Sequence, residues 1–411
     1  MLRQTSRAAL LAVALILALA VAPATLQAQG DEEQIVLEVA PDAPPISGCH
    51  TPRDSGPYRT IQAAVDCTLP GDTVAIAPAR YVENLVIVQP VSLYGTDPAT
   101  TVIDGGAAGS VITIDEPVPV FIFNLTLTNG FGEYGGGVFT YDGEAVLSNC
   151  VISDNAAENS GGGLYTYQGA IFVLDSIVHG NTSGRMGNGA GVYAYSGTLF
   201  LENVEVNENH ADEALGSGGG VYNYEGVSFL VDTIVRDNSA GRSGGGIITY
   251  NGTLTMVGGE LVGNAVAETG EGGGAYTYSG DLTLDNVNVS HNQAGLSGGG
   301  VGTRGGYLVL HRATITNNIA GGPGGGVFVY STHTRITESF ITGNNARLSG
   351  GGLYITGSTL RLIETRISGN ETGVSGGGLY IARTEFRDNF ENIIDDNTAV
   401  TTGPDIFEQP E

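Results

Sequence analysis

From about residue 130 onward, apolar and polar positions alternate in short runs, and the runs recur. Three residues ahead of a repeating asparagine stands an aliphatic residue: Ile152, Val178, Val206, Val235, Leu261, Val289, Ile315, Ile341, Ile367 or Ile394. Eight ahead stands a second, as at Leu147, Val173, Leu201, Leu230, Met256, Leu284, Leu310, Ile336 and Leu362. Five ahead the residue is usually small, as at Cys150, Ser176, Thr233, Ala313 and Ser339. Alternation over so few residues is a strand signal and not a helical one.

Two markers keep the runs in phase. A glycine triplet starts at 135, 161, 189, 218, 244, 272, 298, 324, 350 and 376, with Gly189-Ala-Gly191 degenerate. Asparagines at 129, 155, 181, 209, 238, 264, 292, 318, 344, 370 and 397 keep nearly the same step. The pattern predicts units of about 26 residues, each with three short strands separated by Gly- and Asn-rich bends. One unit cannot bury its own apolar face, whereas stacked units can. The expected fold is therefore all-β, a single right-handed parallel β-helix. About eleven coils, rising roughly 4.8 Å each, make a rod on the order of 50 Å. Asn155, Asn181, Asn209, Asn238, Asn264, Asn292, Asn318, Asn344 and Asn370 are expected inside, as an amide ladder. Each donates to a carbonyl of the next coil, at about 1 kcal/mol net per bond.

The remaining segments follow in order. Residues 1–28 read as a secretory signal: Arg3 and Arg7, an apolar run from Ala8 to Ala22, and Leu26-Gln27-Ala28 before Gln29. An uncleaved anchor is the alternative, but the run is short for a membrane span. There is no second long apolar run, so no transmembrane span is expected in the mature chain. Residues 29–48, acidic with Pro41, Pro44 and Pro45, read as a flexible linker. Residues 49–128 hold a cap and the first, irregular coils. The segment Tyr58 to Asp66 is the one helical stretch, with Ile61, Ala64 and Val65 on one face to plug the open end of the tube. Cys49 and Cys67 are expected to pair in an exported chain, and Cys150 to be a buried, inert thiol. The repeats run over 129–407, and 408–411 form a tail.

Tyr58 to Gly105 resembles the capping start of pectin-lyase-like right-handed β-helix proteins. The residues that carry this are Thr60-Ile-Gln-Ala-Ala-Val65, Pro70-Gly-Asp-Thr-Val74 and Tyr81-Val-Glu-Asn84. Residues 129–407 resemble the repeats of polymorphic outer-membrane proteins and related bacterial surface β-helix proteins, and Thr402-Gly-Pro-Asp-Ile-Phe407 is similar to the way such arrays end. The resemblance implies fold more than function. The outer-membrane family continues into a transporter barrel, which does not follow here, so barrel anchoring is not implied.

Composition narrows the function. All 16 basic residues are Arg and the net charge is −27. Phosphate contacts need clustered cations, so nucleic acid is not an expected partner. The 18 tyrosines against no tryptophan concentrate in the repeat. They form two files on the strand after each triplet. Tyr165, Tyr193, Tyr222 and Tyr276 stand four residues after a triplet start, and Tyr167, Tyr195, Tyr224 and Tyr278 six after. With the aliphatic residues inward, both files are expected outside, stacked coil on coil. They either stabilise the sheet or pave a face for glycans or a surface protein. Longer loops place Asp212, Glu213, Glu268 and Glu271 beside that face, where carboxylates on adjacent coils would suit Ca²⁺, although no Asp-x-Asp spacing specifies it.

Catalytic constellations are thin. Uronate lyases of the resembled fold use a Lys or Arg base beside Ca²⁺-binding carboxylates, and polygalacturonases use paired aspartates with a His-Gly. Here Asp395-Asp396 and His179-Gly180 lie in unrelated coils, and Arg304 is the only basic residue at a Tyr position. The expectation is a secreted or cell-surface, adhesin-like, non-catalytic protein of a bacterial envelope that binds through its Tyr-lined face. A polysaccharide lyase or glycoside hydrolase is the alternative, and a structural envelope spacer the second.

Overall fold

In the computed structural model the described residues are 34–212, 214–388 and 391–409. The expected signal segment 1–28 lies outside them. The unit from Val36 onward is a parallel β-solenoid whose strands pair with their copies one coil away. Each repeat crosses four sheets in turn, numbered here by order within a coil. Sheet 1 holds the strands after the triplets, from Leu85–Ile87 to Ile406–Glu408. Sheet 2 runs from Val36–Val39 to Glu385–Asp388 and sheet 3 from Ala79–Val82 to Ile393–Asp395. Sheet 4 runs from Phe131–Tyr134 to Thr398–Ala399. They contain 13, 14, 13 and 11 strands respectively, all paired in parallel where register is defined, so there are about 13 coils rather than eleven.

Three expectations change here. The repeat has four strands, not three. Those of sheet 4 shrink to two residues, such as Thr182–Ser183 and Ser239–Ala240, too short to show alternation. The stretch 29–48 is not linker throughout: Val36–Val39 is the first strand of sheet 2, with Leu37 and Val39 buried against the tube. And Asn129, read as a marker in phase with the other asparagines, is one residue out of phase. It sits at a left-handed turn, in register with Asp154, so Gly130 occupies the ladder position there.

The Val, Leu and Ile positions read as inward are buried in every coil from Leu147 to Ile367. The triplet has a separate reason at each position. Gly161 has φ +68, open to glycine at little cost. A Cβ on Gly162 would lie 2.2 Å from the Thr182 carbonyl oxygen, and one on Gly163 2.5 Å from that of Gly191. The coils meet backbone to backbone at this corner, which excludes a side chain.

The asparagine ladder is built more tightly than expected. The main-chain N–H of Asn181 and its side-chain amide both donate to Oδ1 of Asn209, at 3.0 and 2.9 Å. The same amide also donates backward, to the carbonyl of Ile152 at 2.9 Å. The forward acceptor is thus the next side chain, and the main-chain acceptor lies on the coil behind. The pattern repeats from Asn155 to Asn370, leaving these amides fully paired at 0–1% exposure.

At the N-terminal end a short helix, Ile61–Val65, buries Ile61, Ala64 and Val65. Thr60 caps it, and the Glu83 carboxylate accepts the N–H groups of Ile61 and Gln62 at 3.0 Å each. Cys49 and Cys67 are joined by a disulfide beside this cap. Cys150 is a free, buried thiol, which burial pushes up to about 12. No helix among the described residues is long and apolar enough to cross a membrane.

Candidate functional site

On sheet 1 the strand Val192–Tyr195 sends Val192 and Ala194 into the tube and Tyr193 and Tyr195 out. Register then lines the tyrosines up coil on coil. The outer row is a continuous stack of Tyr141, Tyr167, Tyr195, Tyr224, Tyr250 and Tyr278. Ring centroids are 4.6–5.2 Å apart and ring planes 5–14° from parallel. The interval is that of parallel strands, roughly 4.8 Å. Because each ring covers its neighbour's faces, the row offers solvent its ring edges and hydroxyls. Tyr141 and Tyr278, toward the two ends, are 51% and 41% exposed.

The inner row is different, and here the expectation of two exposed files is corrected. Tyr165, Tyr193, Tyr222 and Tyr276 are only 5–7% exposed, although they stand outside the tube wall. The outer tyrosines flank them on one side. On the other, residues ahead of the triplet fold back: Tyr134 packs on Tyr165 at 4.9 Å, and Glu271 accepts the Tyr276 hydroxyl at 2.9 Å. Burial raises all four phenols well above the usual tyrosine range. These four rings are a second, external core and cannot themselves form a contact face.

The inner row, in which Ile248 already stands between Tyr222 and Tyr276, and the outer row both break at one later coil. Gly302 replaces the inner ring and Arg304 the outer. Arg304 makes a two-pronged ion pair with Glu271, Nε to Oε2 at 2.9 Å and Nη2 to Oε1 at 2.6 Å. Its guanidinium also lies 5.2 Å from the Phe328 ring and 5.3 Å from that of Tyr330. Ser297 adds a hydrogen bond to Glu271 at 3.1 Å. Burial works to raise the pKa of Glu271, but the donors from Arg304, Tyr276 and Ser297 outweigh it and leave the carboxyl lowered.

This spends Glu271 on a cation already present, and the other described carboxylates of the Ca²⁺ expectation, Asp212 and Glu268, do not gather beside it. Asp212 accepts the N–H groups of Ala214 and Leu215 at 3.0 and 2.8 Å, closing its own loop. Glu213 lies outside the described residues. Glu268 is exposed and two coils from Asp212, about 10 Å at the strand interval. Among the described residues no three His, Cys, Asp or Glu side chains gather as a metal site. The catalytic candidates are likewise scattered: His179 pairs with Asn207 at 2.5 Å, and Asp395 with Arg366 at 3.1 Å.

One surface escaped the sequence reading. On sheet 2, register aligns Phe121, Val146, Phe172, Phe200 and Phe229 in a single row outside the tube wall, in which Val146 and Phe200 are buried and Phe121, Phe172 and Phe229 half-buried. Leu174, Val231 and Val257 lie beside it, and Tyr94 stacks on Phe123 at 4.4 Å. Val227 and Tyr94 are each 43% exposed. At its N-terminal end the strip borders a hollow of about 470 Å³ lined by Ala75, Ala77, Pro78 and Tyr94 among others. The signal was available: Ala170–Leu174 and Val227–Val231 are apolar at outward as well as inward positions. The outer Tyr row and the Phe row belong to the same coils, on adjoining sheets.

The chain matches no family model, no curated protein and no solved structure.

Proposed function

We propose that this is a non-catalytic, secreted or cell-surface solenoid of a bacterial envelope that holds a partner along its aromatic flank. The flank joins the outer Tyr row of sheet 1 to the Phe row of sheet 2. On this proposal the chain is a pectin-lyase-like β-helix with repeats of the polymorphic outer-membrane type, working as an adhesin-like protein.

The observation that carries the reading is the apolar surface outside the tube. Coil stacking does not require it, because the same sheet 2 row continues through Thr255 and Thr283 in later coils. Apolar surface left partly exposed along several coils, most openly at Val227 and Tyr94, supports a contact site there. The stack geometry refines the type of contact. With ring faces covered, the tyrosines offer edges and hydroxyl groups, which suits a surface protein or a glycan laid along the solenoid axis and held by hydrogen bonds. A sugar ring stacked flat on a tyrosine face would have room only at the ends of the row.

The test is a screen of immobilised glycans and of bacterial and host cell surfaces with wild type and with the double variant Tyr195→Ala, Tyr224→Ala. The expected result is binding by wild type that is lost at unchanged fold in the variant. Equal binding by both proteins rejects the flank. Release of unsaturated or reducing-end products during the same incubations would reject a non-catalytic role.

A further inference from the structure

We infer a second, separate binding site for an anionic oligosaccharide, carboxylated or sulfated, on the C-terminal coils of sheet 2. It does not rest on the aromatic flank.

The outward row that carries Phe172, Phe200 and Phe229 changes character along the solenoid. After Thr255, Thr283 and Val309 it becomes Arg335, Arg361 and Arg387, on three consecutive coils in direct register. All three side chains are exposed. Arg387 is held by Glu385 at 2.5 Å. Arg335 and Arg361 have no ion-pair or hydrogen-bond partner among the described residues, in a chain with net charge −27 where most other structured arginines do. Like charges on adjacent strands, roughly 4.8 Å apart at the backbone, repel one another. The fold does not need them there, since the same row accepts Phe, Val and Thr.

Two free guanidinium groups on adjacent coils, Arg335 and Arg361, with their strands one interval of roughly 4.8 Å apart and Arg387 paired to Glu385 on the coil beyond, form a receiver for neighbouring anionic groups of a chain. Guanidinium is matched to carboxylate and sulfate oxygens through paired N–H donors. The row on one side carries hydroxyl and imidazole groups: Thr359, bonded to His333 Nδ1 at 3.0 Å. These are partners for sugar hydroxyls. A hollow of about 290 Å³ is bordered by Thr359, Arg361, Glu385 and Arg387. A long, densely charged nucleic acid is disfavoured, because beyond these three coils it would meet an acidic surface and gain few further phosphate contacts. A short acidic glycan needs only the three coils.

Calorimetric titration tests this with four probes: an oligouronate, a sulfated oligosaccharide, the neutral oligosaccharide of equal length, and a single-stranded oligonucleotide. Wild type is expected to bind one or both anionic sugars and not the neutral one. The two anionic arms tell carboxylate from sulfate. In the double variant Arg335→Thr, Arg361→Thr, which installs residues the row already carries, affinity should fall about tenfold or more, the scale of lost charge-assisted hydrogen bonds. Its salt dependence should become shallower, while its unfolding temperature stays level or rises. Four results overturn the site: no binding of either anionic sugar, equal binding by the variant, equal binding of the neutral sugar, or tighter binding of the oligonucleotide. The flank variant Tyr195→Ala, Tyr224→Ala should leave this binding intact, so the two proposals fail separately.

Discussion

Oδ1 of Asp405 accepts both the main-chain N–H and the side-chain amide of Asn397, each at 3.1 Å. Asn397 is the last member of the ladder, and Asp405 takes the place that the next asparagine would hold. A carboxylate is the better terminator, because it accepts without needing an acceptor of its own. The other end closes more simply, with the Gly130 N–H donating to Asn155 at 2.9 Å.

This arrangement makes position in the ladder matter. Asn264→Ala removes two amide bonds and strips the acceptor from Asn238 in a fully buried site. The expected loss is about 3 kcal/mol, dominated by the partners left unpaired. Asp405→Ala affects one end only, and its loss should be about 1–2 kcal/mol. Urea unfolding of the two variants checks the ranking, and hydrogen exchange of the Asp405 variant should show fraying confined to the last coils.

Glycine substitutions should separate close contact from backbone conformation. Gly163→Ala places a methyl 2.5 Å from the Gly191 carbonyl oxygen, against backbone that cannot give way locally. A loss of about 3 kcal/mol is expected, at the upper end for overpacking. Gly357→Ala meets nothing nearer than 3.6 Å but has φ +60, so it should cost about 1 kcal/mol, the left-handed penalty alone. Comparing their unfolding midpoints tests the distinction.

The Glu271 carboxyl lies below its ordinary value when folded, burial being outweighed by Arg304, Tyr276 and Ser297. A depressed carboxyl contributes stability above its unfolded pKa of about 4.3, and the contribution is lost as pH falls through the folded value. Glu271→Gln should therefore lower stability at neutral pH and flatten the acid limb of the stability profile. A profile parallel to wild type below about pH 4 would count against this.

Alkali should act on the inner tyrosine row. Burial raises the phenols of Tyr165, Tyr193, Tyr222 and Tyr276. A raised pKa gives stability that is whole below the unfolded value of about 10 and shrinks as pH climbs past it. Ultraviolet titration should show these four ionising only together with loss of the fold. Replacing Tyr193 by Phe should weaken the alkaline limb.

Much of the architecture could be read from the pattern alone. In a solenoid the neighbours of a coil are its own copies, so inward Ile152, Val178 and Val206 announce themselves by recurrence, as do the triplets and the asparagines from 155 to 397. The fourth strand was not visible, since two residues cannot display a period. The Phe row has the parity opposite to the inward aliphatic set, so alternation by itself assigns it to the solvent side and does not single it out.

The sequence by itself determined the repeat, the strand class, the inward aliphatic files, the amide ladder and the side of sheet 1 on which the tyrosines lie. Alternation decides which side of a sheet a ring occupies, but not what folds over that side. Only the tertiary structure decided that Tyr193 is covered while Tyr195 shows its edge, and that Glu271 reaches Arg304 across 33 residues. Those outcomes depend on the paths of aperiodic loops and on exact register between coils. Neither is carried by any single unit of the repeat.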